Sequence, residues 1–180
     1  MKTNYPKSVK FASAIIVQLA IVIGLVVFNA SLLARGTEIV LPIKPVDPRD
    51  PLRGDYITMQ YDISRIDASA VEGKNKEIEK NDIVYVALKK QGNAWAAASV
   101  ALKKPRVGLF IKGNVSYVGY SDWKTKKQSI SIIYGIEEYF IPEGTGTDLA
   151  QKMRTKNAFA RVVVDAGGTA ILKDIFFTDK

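Results

Sequence analysis

The chain has 180 residues, of which 47% are apolar and 24% are charged, and it carries a net charge of +8. This composition is typical of a folded protein with one domain of ordinary size, so it excludes global disorder. The chain contains no cysteine and no histidine, which excludes disulfides, a thiol nucleophile, and the commonest general base and transition-metal ligand. Acid and base chemistry would therefore depend on carboxylates, lysines and tyrosines.

The N-terminal region contains a long uncharged segment, residues 11–34. As a helix this segment would be about 36 Å long, whereas the hydrocarbon core of a bilayer is about 30 Å thick. Three lysines precede it and a single arginine, Arg35, follows it closely. The positive-inside rule then predicts that residues 1–10 are cytoplasmic, that residues 11–34 cross the cytoplasmic membrane, and that residues 35–180 form an extracytoplasmic domain.

A cleaved signal peptide is the alternative to a retained anchor. The uncharged segment is longer than a typical signal-peptide core, and Leu32 and Leu33 stand where small residues would precede cleavage. Gln18 and Asn29 are polar residues inside the segment, and eleven positions of helix place them within about 20° of one another. The sequence therefore favours an anchor whose Gln18 and Asn29 can contact another transmembrane helix, in particular a helix of a multi-pass membrane protein.

The extracytoplasmic region shows the alternation that is typical of strands. Turn residues at 91–93, 113–114 and 167–168 predict three hairpins, while the polar segment 64–81 has no sustained period. One short helix is predicted over 147–156. Together these patterns predict a mainly β domain, an antiparallel β-sandwich or a barrel-like fold with one short helix. The predicted strands are Glu38–Lys44, Tyr56–Ile63, Asp82–Lys90, Ala94–Leu102, Val107–Lys112, Val115–Tyr120, Ser129–Tyr134, Ala158–Asp165 and Thr169–Phe177.

The segment GDYITMQY, residues 54–61, resembles the signature of the bacterial GDYXXLXY proteins. Its motif positions are Gly54, Asp55, Tyr56, Met59 and Tyr61, with Met59 where the family usually has leucine. Methionine for leucine nearly conserves volume, so this departure leaves the resemblance intact. Segments 45–50 and 139–144 are similar to the same family, so the resemblance covers most of the extracytoplasmic domain.

The resemblance implies a small membrane-anchored bacterial protein without an assigned activity, often encoded beside multi-pass membrane proteins. It supplies no catalytic residue and no cofactor. Independently of the resemblance, residue alternation predicts that Met59 and Tyr61 face the core. The conformational preferences of proline and glycine predict that the prolines and Gly54 shape the loop that enters the strand.

Charged residues cluster around the signature, and they have two interpretations. Asp55 would lie at the rim of the core and needs donors, which Arg49 and Arg53 can supply. The same residues, together with Glu137, are candidate binding residues, and Glu143 completes that set. Calcium is the only metal that such oxygen donors would suit, and no metal site is predicted.

The tripeptide at residues 53–55 also occurs in integrin ligands, but it leads directly into a strand and is poorly placed for display. The strand is also similar to one in type I signal peptidases. Those enzymes need a serine and a lysine upstream of it, and the nearest upstream serine here, Ser31, lies inside the apolar segment. The similarity is therefore at most one of fold, because the catalytic serine and lysine are missing.

Two functional classes follow. The leading hypothesis is a non-enzymatic, membrane-anchored accessory or binding protein of the bacterial cell envelope. The alternative is an envelope hydrolase that uses carboxylates near Asp55 and Glu143. Nucleic acid is not an expected partner outside the membrane. Basic residues in the middle of the domain would suit an anionic phospholipid or a cell-envelope polymer. They are Lys103, Lys104, Arg106, Lys112, Lys124, Lys126 and Lys127.

Overall fold

The computed structural model describes residues 6–46, 56–67, 70–71, 78–122, 127–141, 151–152 and 155–179. Residue contacts divide the chain into two units, Met1–Arg35 and Gly36–Lys180. The first unit contains the helix α1, Lys7–Arg35. An 18-residue window within its segment Ser8–Arg35 has a mean hydropathy of 2.7, and the helix is long and apolar enough to cross a membrane.

The second unit consists mainly of β-strands, as the alternating patterns predict. A short 3₁₀ helix, Asp62–Ser64, follows the second strand. The strands are β1 Thr37–Val46, β2 Tyr56–Tyr61, β3 Arg65–Asp67, β4 Ile83–Gln91, β5 Ala94–Ala101, β6 Phe110–Asp122, β7 Lys127–Ile133, β8 Glu138–Phe140, β9 Asn157–Val164 and β10 Ala170–Thr178.

The strands form two five-stranded sheets, and every strand pair within them is antiparallel. The first sheet has the order β10-β9-β1-β2-β8, and the second has the order β3-β7-β6-β4-β5. This arrangement confirms the predicted mainly β class. It also places β1, the strand that directly follows α1, at the centre of the first sheet.

Alternation along the strands builds the core. Ile39, Leu41 and Ile43 of β1 are buried, and the residues between them are half-buried. The same rule buries Met59 and Tyr61 on β2 at 1% exposure each, as predicted for the signature strand. The second sheet contributes the other half of the core through side chains that are almost entirely buried: Val84, Val86, Val100, Ile111, Val115, Ile130 and Ile132.

The hairpin predicted at Gly113-Asn114 is wrong, because β6 runs unbroken through both residues. Gly113 serves a close approach instead of a turn. A Cβ atom there would meet the side chains of Ile132 and Tyr134 and would lie 3.0 Å from the backbone oxygen of Ile133. The other two predicted hairpins, β4–β5 and β9–β10, are present.

Other elements differ in extent from the predictions. The signature strand ends at Tyr61, two residues before its predicted end. Ile63 belongs to the 3₁₀ helix that follows, and its side chain is buried. The polar segment 64–81 contains the short strand β3, whose Ile66 pairs with Ile130 of β7. Of the predicted helix 147–156 the structure describes Gln151, Lys152, Thr155 and Lys156. The first three are helical, and the remainder lies outside the described residues.

Replacing Tyr61 by alanine should lower the free energy of unfolding by about 3 to 5 kcal/mol, because the change removes a fully buried aromatic ring. Tyr117 is 62% exposed on β6, so Tyr117→Ala is a matched control that should cost less than about 1 kcal/mol. Both are measured by denaturant unfolding of the detergent-solubilised chain, followed by tryptophan fluorescence. Equal losses for the two variants would contradict the assigned core face.

Candidate binding site beside the signature strand

The structure describes part of the predicted site. Gly54, Asp55, Arg49, Arg53 and Glu143 lie outside the described residues. The backbone of Tyr56 begins β2, while Met59, Tyr61 and Glu137 are fully described. Among these, the structure brings the signature strand and Glu137 together, and the site is built from that contact.

Two tyrosines connect the signature strand to the turn between β7 and β8. The Tyr61 hydroxyl donates to the carbonyl oxygen of Ile136 at 2.6 Å. The Tyr134 hydroxyl donates to the carbonyl oxygen of Ile63 at 2.6 Å. Each tyrosine thus bonds to a backbone carbonyl close to the other tyrosine in sequence, and two buried hydroxyls are satisfied at once.

Backbone bonds reinforce this connection. The Met59 amide donates to the carbonyl oxygen of Glu137 at 2.8 Å, next to the pair formed by Thr58 and Glu138. The Tyr61 amide donates to the Ser64 hydroxyl at 3.2 Å, which stabilises the exit from β2 into the 3₁₀ helix. The signature strand is therefore held from both sides along its second half.

The carboxylate of Glu137 closes the turn. Its Oε1 accepts from the Tyr134 amide at 2.6 Å, and its Oε2 accepts from the Gly135 amide at 2.8 Å. Gly135 has a φ of 81°, a conformation that glycine adopts without strain. Both carboxylate oxygens therefore stabilise the backbone of the turn, which is a structural role.

Burial raises the pKa values of Tyr61 and Tyr134 well above the ordinary tyrosine value, and the negative charge of Glu137 raises both further. Both hydroxyls therefore stay protonated near neutral pH and act as hydrogen-bond donors. A neutral, buried phenol with a committed proton is not a nucleophile. The chemistry of this cluster is that of a structural connection.

An open groove of about 790 Å³ runs beside the cluster, between β2 of the first sheet and β7 of the second. Its surface mixes hydroxyl, amide and charged side chains with the apolar Met59 and Ile133. The polar side chains that line the groove are Thr58, Gln60, Ser64, Arg65, Ser116, Ser131, Glu137 and Glu138.

Sequence analysis missed several of these residues. Alternation predicts Tyr134 only as the last residue of a strand, and it predicts no binding role for Arg65 or Ser131. The sequence contains a recognisable pattern only for the turn. There Gly135 directly follows Tyr134, and Glu137 lies three positions after Tyr134. Tyr139 packs against the core, whereas Phe140 is 70% exposed on β8.

Metal binding finds no support in the described part of the chain, where no group of three or more acidic residues could hold an ion. The carboxylates of the alternative hydrolase, Asp55 and Glu143, lie outside the described residues, as does the loop considered for calcium.

Replacing Glu137 by glutamine should lower the free energy of unfolding by about 1 to 3 kcal/mol, because one amide of the turn then loses its charged acceptor. Glu138 is the adjacent glutamate and is exposed, so Glu138→Gln is the control and should cost less than about 0.5 kcal/mol. Chemical denaturation of the full chain measures both. Should Glu137→Gln unfold at the wild-type midpoint, the turn would not depend on the carboxylate.

Comparison with known proteins gives one result. The model of the GDYXXLXY protein family matches residues 18–175, a range that includes most of α1 and nearly all of the β-domain. No curated protein and no solved structure matches the chain. Because the match covers well over half of the chain and contains the signature strand, this chain belongs to the GDYXXLXY protein family.

Proposed function

We propose that this protein is a non-enzymatic, membrane-anchored accessory protein of the bacterial cell envelope that binds a multi-pass membrane protein. The observation that carries the proposal is the use of the signature region. Two polar groups of this region, the Tyr61 hydroxyl and the nearby Glu137 carboxylate, form internal hydrogen bonds with the backbone. A signature used in this way maintains a rigid scaffold, and a rigid scaffold on an anchor suits binding better than turnover.

The anchor supports the membrane part of the proposal. α1 is long and apolar enough to span a bilayer, and it contains Gln18 and Asn29 on one face. The Asn29 Nδ2 donates to the Leu25 carbonyl oxygen at 2.9 Å, so the helix itself satisfies one of its donors. The side-chain oxygen of Asn29 and the amide of Gln18 are the groups that we assign to a helix of the partner.

The β-domain supplies the second contact. Only Gly36 separates α1 from β1, so the start of the domain lies within about 8 Å of the helix end. Such a short connection limits how far the first strand can reach from the end of the anchor. In this proposal the groove beside the signature strand receives an extracytoplasmic segment of the same membrane partner.

Replacing Gln18 and Asn29 together by leucine should reduce recovery of the co-purifying membrane protein severalfold, because side-chain hydrogen bonds between helices in the bilayer contribute about 0.6 to 2 kcal/mol each. Recovery is measured by affinity purification of the full chain from gently solubilised native membranes, followed by mass spectrometry.

Ser13 and Ser31 provide the control, because both lie about 140° from Gln18 on the helix and both hydroxyls bond to carbonyls of their own helix. The Ser13→Leu and Ser31→Leu double variant should keep the partner. An unchanged yield with Gln18→Leu and Asn29→Leu, or a wild-type chain that recovers no membrane protein, would contradict the proposed partnership.

The orientation is the second testable part of the proposal. Lys2, Lys7 and Lys10 precede the apolar segment, which favours a cytoplasmic N-terminus and an extracytoplasmic β-domain. The natural chain has no cysteine, so single cysteines can be introduced cleanly. An impermeant maleimide should label Asn93→Cys on intact spheroplasts and Thr3→Cys only after lysis. The opposite labelling pattern would reverse the orientation.

A further inference from the structure

The connection between β5 and β6, residues 102–109, is a loop with an unusual combination of side chains, here called the basic loop. Lys103, Lys104 and Arg106 are exposed, and Val107 next to them is 88% exposed. Leu102 and Leu109 at the two ends of the loop pack against the core. The loop is therefore fixed at both ends by Leu102 and Leu109, and between them it exposes three cationic side chains and Val107.

The position of the basic loop follows from a short series of contacts within the β-domain. Thr37, the first residue of β1, pairs with Val164, the last residue of β9. The β9–β10 turn follows directly, and its Gly168 carbonyl accepts from the Lys112 amide at 2.8 Å. The start of β1 and the start of β6 are thus connected through this turn.

Phe110 completes the series. A Cβ atom on Gly168 would lie 2.8 Å from the Phe110 ring, so the turn and the ring are in direct contact. The Lys104 ammonium lies 5.7 Å from the centroid of the same ring, a cation–π distance. The basic loop therefore lies on the part of the domain where the chain enters β1 from α1.

We propose that the basic loop docks on anionic phospholipid headgroups of the membrane that α1 spans, with Val107 entering the interface. This inference rests on the proposed membrane anchoring and adds a second, lipid-binding contact to it. The short connection at Gly36 keeps this region of the domain near the headgroups. Lys103, Lys104 and Arg106 then meet phosphate groups, and the anchor supplies the high local concentration that makes a weak contact effective.

Acidic neighbours of the loop are engaged elsewhere. The Asp165 carboxylate accepts from the Gly167 and Thr169 amides within its own turn at 2.8 and 2.7 Å. Glu38, next to Thr37, forms ion pairs with Lys173 and Arg161, and its hydrogen bond from Lys173 lowers the pKa of that carboxyl. Asp165 is thus bonded to backbone amides of its own turn, and Glu38 is paired with Lys173 and Arg161.

Val107 distinguishes a lipid surface from a soluble polyanion. A polyanion would attract the three cations but would gain nothing from an exposed valine. A bilayer interface offers phosphate groups for the cations and an apolar boundary for the valine side chain. The combination of charge and apolar exposure therefore favours lipid over cell-envelope polymer.

The test uses the full chain in lipid nanodiscs, with Val107→Cys carrying an environment-sensitive fluorophore as the only thiol label. Its emission should become brighter and blue-shifted in discs that contain phosphatidylglycerol, relative to discs of phosphatidylcholine alone. Added salt should weaken this response, because it screens the cations. Replacing Lys103, Lys104 and Arg106 together by serine should lower the ratio of docked to undocked loop on the order of 100-fold.

Lys89 and Lys90, exposed on β4, provide the matched control, and replacing both by serine should leave the response intact. Hydrogen exchange of residues 102–109 in the unlabelled wild type is an independent measurement, and exchange should slow in the anionic discs. Equal emission and equal exchange in both lipids would overturn the proposal. A response to added polyglutamate but not to anionic lipid would overturn it in favour of a polymer. A chain that fails to enter discs would instead overturn the anchoring itself.

Discussion

The interaction on which the β-domain depends is the pair of buried tyrosine hydroxyls at the signature strand. A phenol that is carried into the core loses water and must find an acceptor, or folding is penalised. The Tyr61 hydroxyl donates to the Ile136 carbonyl oxygen, and the Tyr134 hydroxyl donates to the Ile63 carbonyl oxygen. Each tyrosine therefore contributes both an apolar ring and a directional hydrogen bond to the core. Because Glu137 fixes the intervening turn through two amides, the strand and the turn determine one another's positions.

Close approach of backbone is the second constraint on this fold. Gly113 lies against Ile132 and Tyr134, and Gly168 lies against Phe110, so a side chain at either position would displace a packed neighbour. The Gly168 contact also carries the hydrogen bond to Lys112 that connects the two sheets. Gly113 thus allows close packing between neighbouring strands of the second sheet, whereas Gly168 allows the β9–β10 turn of the first sheet to approach β6 of the second.

The same features are the basis on which we propose a scaffold role. The polar groups around the signature stabilise backbone, and the groove beside it is open and mixed in character. A single residue, Gly36, connects this scaffold to α1, and in the proposed function so short a connection limits how far the first strand can reach from the anchor. A partner in the membrane and a lipid-binding loop are both consistent with that restriction, because each requires short reach.

The sequence by itself determined the elements whose signal is local. The uncharged segment predicted α1, and alternation predicted most of β1, all of β2 and the burial of Met59 and Tyr61, because each of these depends on a local repeat of the sequence. Only the tertiary structure decided the rest. Gly113 looks like a turn until Ile132 is placed beside it, and β3 and β8, with three residues each, exist only because β7 and β2 offer edges to pair with. The hydrogen bond between Tyr61 and the turn at Glu137 joins residues more than seventy positions apart in sequence. No local repeat encodes such a contact, because it forms only through long-range packing.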